Sequence, residues 1–306
     1  MSKLKIVASL LLVVIGLFYL LNQTTTQQPK TATVTASNFA IYDIVKNIAT
    51  PDIEVVCILP FGVDPHSFEP SPKAMVQLER SALFFYSGEV LEPWTHQMAL
   101  HAVGVDLSKQ VNLLEAQEDE EQHEEHHHHN APYDPHYWLD IQNMQTMTRF
   151  IAQKLAQVYL KDAQAIKKNT QSYIEKLQKL DELYQQKLSS CKQDTIVVTH
   201  NAFGYLAHRY GFEVHSLTGL STQAQATPQD VVQIFDVIRQ KGIKTIFAED
   251  FSNQKEIRSI ANEVNISLDT LQPLGNITAK QNGQKMGYIA IMKQNLQKLA
   301  AALECQ

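Results

Sequence analysis

Three histidines stand where a folded chain can bring them together: His66 in "FGVDPHSFEP", His136 in "DPHYWLD" and His200 in "VVTHNAFG". Each lies in or beside a loop, two of them next to an apolar, β-rich run. Three imidazoles suit zinc, with a fourth position left for water or a carboxylate. Manganese is expected to prefer more carboxylate ligands. Glu249 and Asp250 follow the run "KTIFAE" and supply a candidate carboxylate. Five of the 12 histidines fall elsewhere, in "EDEEQHEEHHHHN": His123, His126, His127, His128 and His129. That run has no apolar residue and its acids repel one another, so it reads as a solvated loop. His-rich tracts bind metal, here as auxiliary low-affinity sites. A single histidine at a strand end is more often a hydrogen-bonded structural residue than a ligand. His96, His101, His208 and His215 are read that way.

The elements around the three histidines alternate between strand and helix. Strand candidates in the first half are "ATVTAS" from Ala32, "IEVVCILP" from Ile53, "ALFFYSG" from Ala82 and "VGVDLS" from Val103. Between them lie helical patterns over 40–49 and 72–81, the second with Ser71 as N-cap and Pro72 at the first helical position. The second half repeats the scheme with "TIVVTH" from Thr195, "FEVHSL" from Phe212, "KTIFAE" from Lys244 and "ISLDTL" from Ile266. Its helical patterns cover 202–210, 228–241 and 254–264, and Gly211 and Gly242 stand just past two of the ends. From 143 to 190 there is no Gly or Pro, and apolar residues recur at helical spacing. One long helix there, unbroken or broken once, would span roughly 70 Å. The fold class is therefore α/β: two similar lobes with parallel sheets, joined by a long helix. The division is an export signal or anchor over 1–26, an N-terminal lobe over 31–142 that includes the acidic loop 115–131, a linker helix over 143–190, and a C-terminal lobe over 191–306. Parallel sheets bind ligands beyond the carboxyl ends of their strands, so the three histidines are expected to converge in the cleft between lobes.

Composition narrows the function. A net charge of −6 with no basic patch gives no support for nucleic-acid binding. Lys3 and Lys5 precede the apolar run Ile6 to Leu21, and a polar stretch follows, which is the layout of an export signal. The run is short for a spanning helix, yet no clean small-x-small cleavage site follows it, so an uncleaved membrane anchor stays open. Either way, the rest of the chain is expected outside the cytoplasmic membrane. Cys57, Cys191 and Cys305 show no CxxC spacing. Cys57 is expected to be buried, and Cys191 and Cys305 can pair in an oxidising compartment.

The motifs "ILPFGVDPHSFEPSP", "DPHYWLD", "VVTHNAFGYLAHRYG", "STQAQATPQD" and "TIFAEDFSNQ" are together highly specific. In order and content the chain resembles the zinc-binding solute-binding proteins of ABC importers, the ZnuA-like branch of the cluster A-I family. The resemblance covers nearly all of the chain after the export signal. It implies that His66, His136 and His200 are the metal ligands, that Zn2+ is the cargo, and that the partner is an ABC permease in the cytoplasmic membrane. Manganese-type relatives usually carry an acid where His200 stands, and another in a loop that here reads "LQPLGNIT", with Gly275 at the corresponding place. The fourth position thus falls to water by preference, or to Glu249. Several zinc-type relatives pair a Cys from the strand before "FAE" within the C lobe, but Thr245 stands there.

Two functions follow from such a site. A periplasmic, monomeric zinc receptor captures the ion and hands it on without chemistry. A zinc hydrolase would use the same three imidazoles with a bound water, and needs a base such as Glu249 or Glu69. The HExxH string at 123–127 lies in the solvated acidic loop rather than on a helical pattern, and no extra loop is present that would shape a substrate pocket. The receptor is the preferred reading.

Overall fold

The computed structural model describes residues 33–98, 104–116, 131–220, 222, 226–249 and 254–306. The export-signal segment 1–26, the histidines of the acidic loop, His101 and Asp250 lie outside these residues. Thr33–Ala36 (β1), Glu54–Cys57 (β2), Leu83–Tyr86 (β3) and Gly104–Asp106 (β4) form one parallel sheet in the order β2-β1-β3-β4. Thr195–His200 (β5), Glu213–Thr218 (β6), Thr245–Ala248 (β7) and Ser267–Thr270 (β8) form another in the order β6-β5-β7-β8. The two sheets share one topology. In each, the first strand is central and the connection reverses direction beside it, which opens a crevice at the strand ends. β5 is buried along its whole length, as expected of a central strand covered on both faces.

Helices cover the sheets: Phe39–Ile48 (α1) and Pro72–Glu79 (α2) in the N lobe, and Gly204–Tyr210 (α5), Pro228–Lys241 (α6) and Gln254–Glu263 (α7) in the C lobe. Their ends follow local chemistry. Ser71 accepts from the Ala74 N–H with Pro72 at the first position, and Thr227 and Asp230 form a reciprocal capping box. Gly211 and Gly242 take the left-handed conformation, at φ 76° and 66°, that closes a helix. Two further helices, Ala279–Gly283 (α8) and Tyr288–Ala302 (α9), end the chain. Cys57 is half-buried rather than buried, because β2 is the outer strand of its sheet.

The segment between the lobes is two helices, Ile141–Val158 (α3) and Ala163–Leu188 (α4), rather than one. Tyr159 leaves the helical region at φ −108° and ψ 66°, and Asp162 accepts a hydrogen bond from Thr50 Oγ1 at 2.8 Å. The reversal lets the apolar stripe of α3 (Met144, Met147, Ile151, Leu155) share one core with Ile166, Tyr173 and Leu177 of α4. Burial of both stripes outweighs the few hydrogen bonds lost at the turn. α4 is the long helix that joins the lobes. Its 26 residues extend roughly 39 Å, a little over half the span of a continuous helix. It touches the N lobe through Tyr173, whose hydroxyl donates to Asp43 Oδ2 at 2.7 Å. It touches the C lobe through Tyr184, whose hydroxyl donates to the Met292 carbonyl at 2.7 Å.

Other bonds tie the lobes directly. Trp138 Nε1 donates to the Pro273 carbonyl at 2.7 Å, and the Tyr288 hydroxyl to the Trp138 carbonyl at 2.7 Å. Asn276 Nδ2 donates to the carbonyls of Pro60 and Val63, each at 2.7 Å. These buried polar contacts oppose a wide hinge motion. Cys191 and Cys305 form a disulfide that joins the start of the C lobe to the end of the chain.

Candidate metal centre

His66 follows β2 on a short 3-10 turn, Pro65–Ser67. Asp64 caps that turn: its Oδ1 accepts the His66 N–H at 2.9 Å. His136 sits just before a second such turn, Tyr137–Leu139, and Asp134 Oδ1 accepts its N–H at 2.9 Å. The same oxygen lies 2.7 Å from His136 Nδ1. With Nδ1–H donating there, Nε2 keeps its lone pair for the cleft. His200 is the last residue of β5, and Glu249 follows β7 directly. The two strands are neighbours, so the His200–Glu249 pair spans the crevice where the strand order reverses. Glu249 Oε1 accepts from His200 Nδ1, and the Leu220 carbonyl lies 3.0 Å from His200 Nε2.

The three imidazoles, two from the N lobe and one from the C lobe, form a triangle. Ring centroids are 5.1 Å apart for His66 and His136, 5.0 Å for His66 and His200, and 4.9 Å for His136 and His200. His66 Nε2 and His136 Nε2 approach to 3.1 Å. One nitrogen from each of the three lies within 4.8 Å of the others. An ion held tetrahedrally by bonds of about 2.1 Å would need its ligand nitrogens roughly 3.4 Å apart. Small side-chain rotations bring this triangle to that size, so the donor set fits zinc.

His136 and His200 are buried, while His66 keeps part of its surface in solvent. Burial, with His136 and His200 nearby, holds His66 well below the usual imidazole range. Burial and His200 do the same to His136, against the pull of Glu249. At His200 burial also works against charge, but the Glu249 carboxylate outweighs it and leaves the group raised. Burial pushes Asp134 up to about 7, against the His136 N–H and His200. Asp134 and Glu249 thus hold the rings of His136 and His200, which fixes their tautomer and orientation, while Asp64 holds the backbone turn of His66. Pro65, Trp138, Pro273 and Gly275 give the site apolar walls. A side chain at position 275 would start 3.0 Å from Pro65 Cγ, so the proline ring on the turn that carries His66 would have to give by a few tenths of an ångström.

The structure brings His66, His136 and His200 together and places Glu249 behind His200. Among the described residues the other histidines stay apart. His96 is exposed and pairs with Glu89 at 2.8 Å, His208 is exposed on α5, and His215 lies within β6. Asp64 and Asp134 are not singled out by sequence reasoning. The signal for them is the repeated Asp-Pro-His triplet at 64–66 and 134–136.

Residues 34–302 match the family model described as the periplasmic component A of the zinc-uptake complex. The chain is 30% identical over 277 residues to the high-affinity zinc uptake system protein ZnuA of Bacillus subtilis, covering 88% of this chain and 87% of that one. It is 28% identical over 272 residues to the zinc-binding lipoprotein AdcA of Streptococcus pneumoniae, matching 85% of this chain but spanning only 54% of that longer protein. The Zn(II)-bound ZnuA-like domain of S. pneumoniae AdcA superposes with a TM-score of 0.76 at 25% identity, covering 90% of this chain and 99% of the domain.

Proposed function

The chain belongs to the family of periplasmic component A proteins of zinc-uptake complexes, and on that premise we propose that His66, His136 and His200 are the protein ligands of the zinc ion it carries. The protein is a zinc receptor. It captures Zn2+ outside the cytoplasm and delivers it to an ABC-type permease, with zinc as cargo. It is not an enzyme, and the hydrolase reading that a three-imidazole site also allows finds no support among its relatives.

The observation that carries the ligand assignment is the triangle of imidazoles contributed by both lobes. Low proton affinity keeps the imidazoles of His66 and His136 neutral, as zinc ligation requires, at neutral pH. Asp134 and Glu249 supply negative charge behind two of the ligands, which offsets the dication in a site of low polarity. Water completes the coordination. Glu249 remains on Nδ1 of His200, where its contact favours a supporting role over direct ligation.

We further infer a monomer, exported by the basic and apolar N-terminal segment, which serves as a signal or an anchor. Among the described residues no helix is long and apolar enough to cross a membrane. The five histidines of the acidic loop act as weak accessory sites, since binding there must first order the chain at about 1–2 kcal/mol per residue fixed. The lobes in this reading are 31–142 and 191–306, with 143–190 between them.

Competition titration of the purified chain against a zinc chelator tests the assignment. Replacing His66, His136 or His200 by Ala is expected to abolish tight binding, and replacing His96 or His208 to leave it unchanged. Wild-type affinity in His200→Ala would overturn the assignment.

A further inference from the structure

Asp64 faces both sides of the cleft. One carboxylate oxygen caps the N-lobe turn that carries His66, at 2.9 Å from the His66 nitrogen. The other accepts a hydrogen bond from Thr222 Oγ1, which comes from the C lobe between β6 and α6. Two residues before Thr222, the Leu220 carbonyl lies 3.0 Å from His200 Nε2. Next to it, the Gly219 carbonyl accepts from the Asn201 N–H at 3.2 Å. The Asp64–Thr222 bond therefore links a turn that sets one imidazole to a segment that covers another.

Its position separates it from the other interlobe bonds. Those of Trp138, Asn276 and Tyr288 involve the 273–288 stretch of the C lobe, and Trp138, Pro273 and Asn276 form walls of the site itself. Asp64 and Thr222 are both only partly buried, and they adjoin His66, the one imidazole of the three with surface in solvent. Asp64 lines the site beside His66, and Thr222 bonds to it from the other lobe. Entry of an ion requires the Leu220 carbonyl to leave His200 Nε2, a movement that Thr222 restrains from two residues away.

Given the zinc-receptor reading above, we propose that the Asp64–Thr222 hydrogen bond is a tie across the cleft mouth that sets how fast zinc enters and leaves. Neither residue belongs to the ligand triangle. The tie requires that the bond be made in the empty and in the loaded protein alike and be broken in passage between them. Its free energy then enters the barrier in both directions and cancels from the equilibrium. Asp64 and Thr222 are positioning residues, and the signature of that role is a change in rates without a matching change in affinity.

Stopped-flow measurement on the full chain separates the two quantities: association after mixing with zinc, and dissociation into excess chelator. A hydrogen bond to a charged acceptor corresponds to roughly a tenfold change in rate. Thr222→Val is expected to raise both rates by about that factor and to leave Kd within roughly threefold. Thr222→Ser keeps the hydroxyl and is expected to behave as wild type, and Thr222→Ala to behave as the valine variant. Unchanged rates in the valine and alanine variants overturn the tie. So does a weakened Kd with unchanged association, which marks a contribution to the site itself. Absence of tight zinc binding in the wild-type chain would instead overturn the receptor reading on which the proposal rests.

Discussion

The tripeptide Asp-Pro-His builds two turns in this molecule, and they are used differently. In both, the aspartate accepts the backbone N–H of the histidine two residues on, at 2.9 Å, and proline presets the backbone between them. At 134–136 the aspartate is 4% exposed and the histidine 1% exposed, and the same carboxylate oxygen also holds His136 Nδ1 at 2.7 Å. A scaffold lies beneath. The Tyr137 hydroxyl donates to the Ser87 carbonyl at 3.0 Å, the Ser87 N–H donates to buried Glu92 at 2.7 Å, and Asn38 Nδ2 donates to Ser87 Oγ at 2.6 Å. At 64–66 the turn is partly open to solvent, and the free carboxylate oxygen reaches across the cleft to Thr222. One motif thus gives a fixed ligand in one place and a ligand at the cleft mouth in the other. The tripeptide orients the backbone, and the surroundings decide how firmly the imidazole is held.

The largest expected effect removes the common element. His136→Ala and His66→Ala should each weaken zinc binding by more than about a hundredfold, beyond the loss typical of an outer-shell change. Competition titration checks this, and a clear inequality between the two would show that only one turn supplies a true ligand. Next come the aspartates. Asp134→Asn disturbs the His136 tautomer and should cost roughly 10–100-fold in affinity. Asp64→Asn keeps a capping oxygen for the His66 N–H and should cost less than about tenfold. Equal losses would erase the distinction between the turns.

The scaffold under the second turn offers a pH test. Burial pushes Glu92 up to about 8, above its value in an unfolded chain. A carboxyl raised in this way stabilises the fold below its unfolded pKa, and that contribution is lost as pH rises through the folded one. Metal-free wild-type protein should therefore lose stability between roughly pH 4.5 and 8, by at most about 1.4 kcal/mol per pH unit from this group. Urea unfolding of Glu92→Gln should show a shallower slope over the same range, and an identical slope would remove Glu92 from the account. The smallest effect on the tight site is expected from deleting residues 118–129. Stoichiometry should fall to about one zinc with Kd unchanged, because the three cleft histidines lie outside that segment; the ordering cost makes the deleted sites weak.

Much of this was legible in residue patterns. β5 and α6 run over Thr195–His200 and Pro228–Lys241, the bounds that the apolar run and the Thr227–Gly242 punctuation indicate. The three histidines stand out because ligands gather beyond the ends of parallel strands. The place of the break between α3 and α4 was not legible. No Gly or Pro marks Tyr159, and what turns the chain is tertiary: the Asp162 contact to Thr50 and the joint burial of two apolar stripes. α9 follows a stretch rich in polar residues and glycine, and its buried face of Ile291, Met292, Leu296 and Leu299 was not singled out. Glu249 was a candidate carboxylate of the site in sequence, but its place on His200 Nδ1 was not legible. Glu249 meets His200 across 49 positions of sequence, and only the sheet order brings them side by side.

A zinc-edge anomalous difference map from crystals of the zinc-loaded protein tests the central claim most directly. Ligation by the three imidazoles predicts one strong peak bonded at about 2.1 Å to a nitrogen of His66, His136 and His200, with a water oxygen in the fourth position. A peak elsewhere, or one bonded to the Glu249 carboxylate in place of His200, would contradict it.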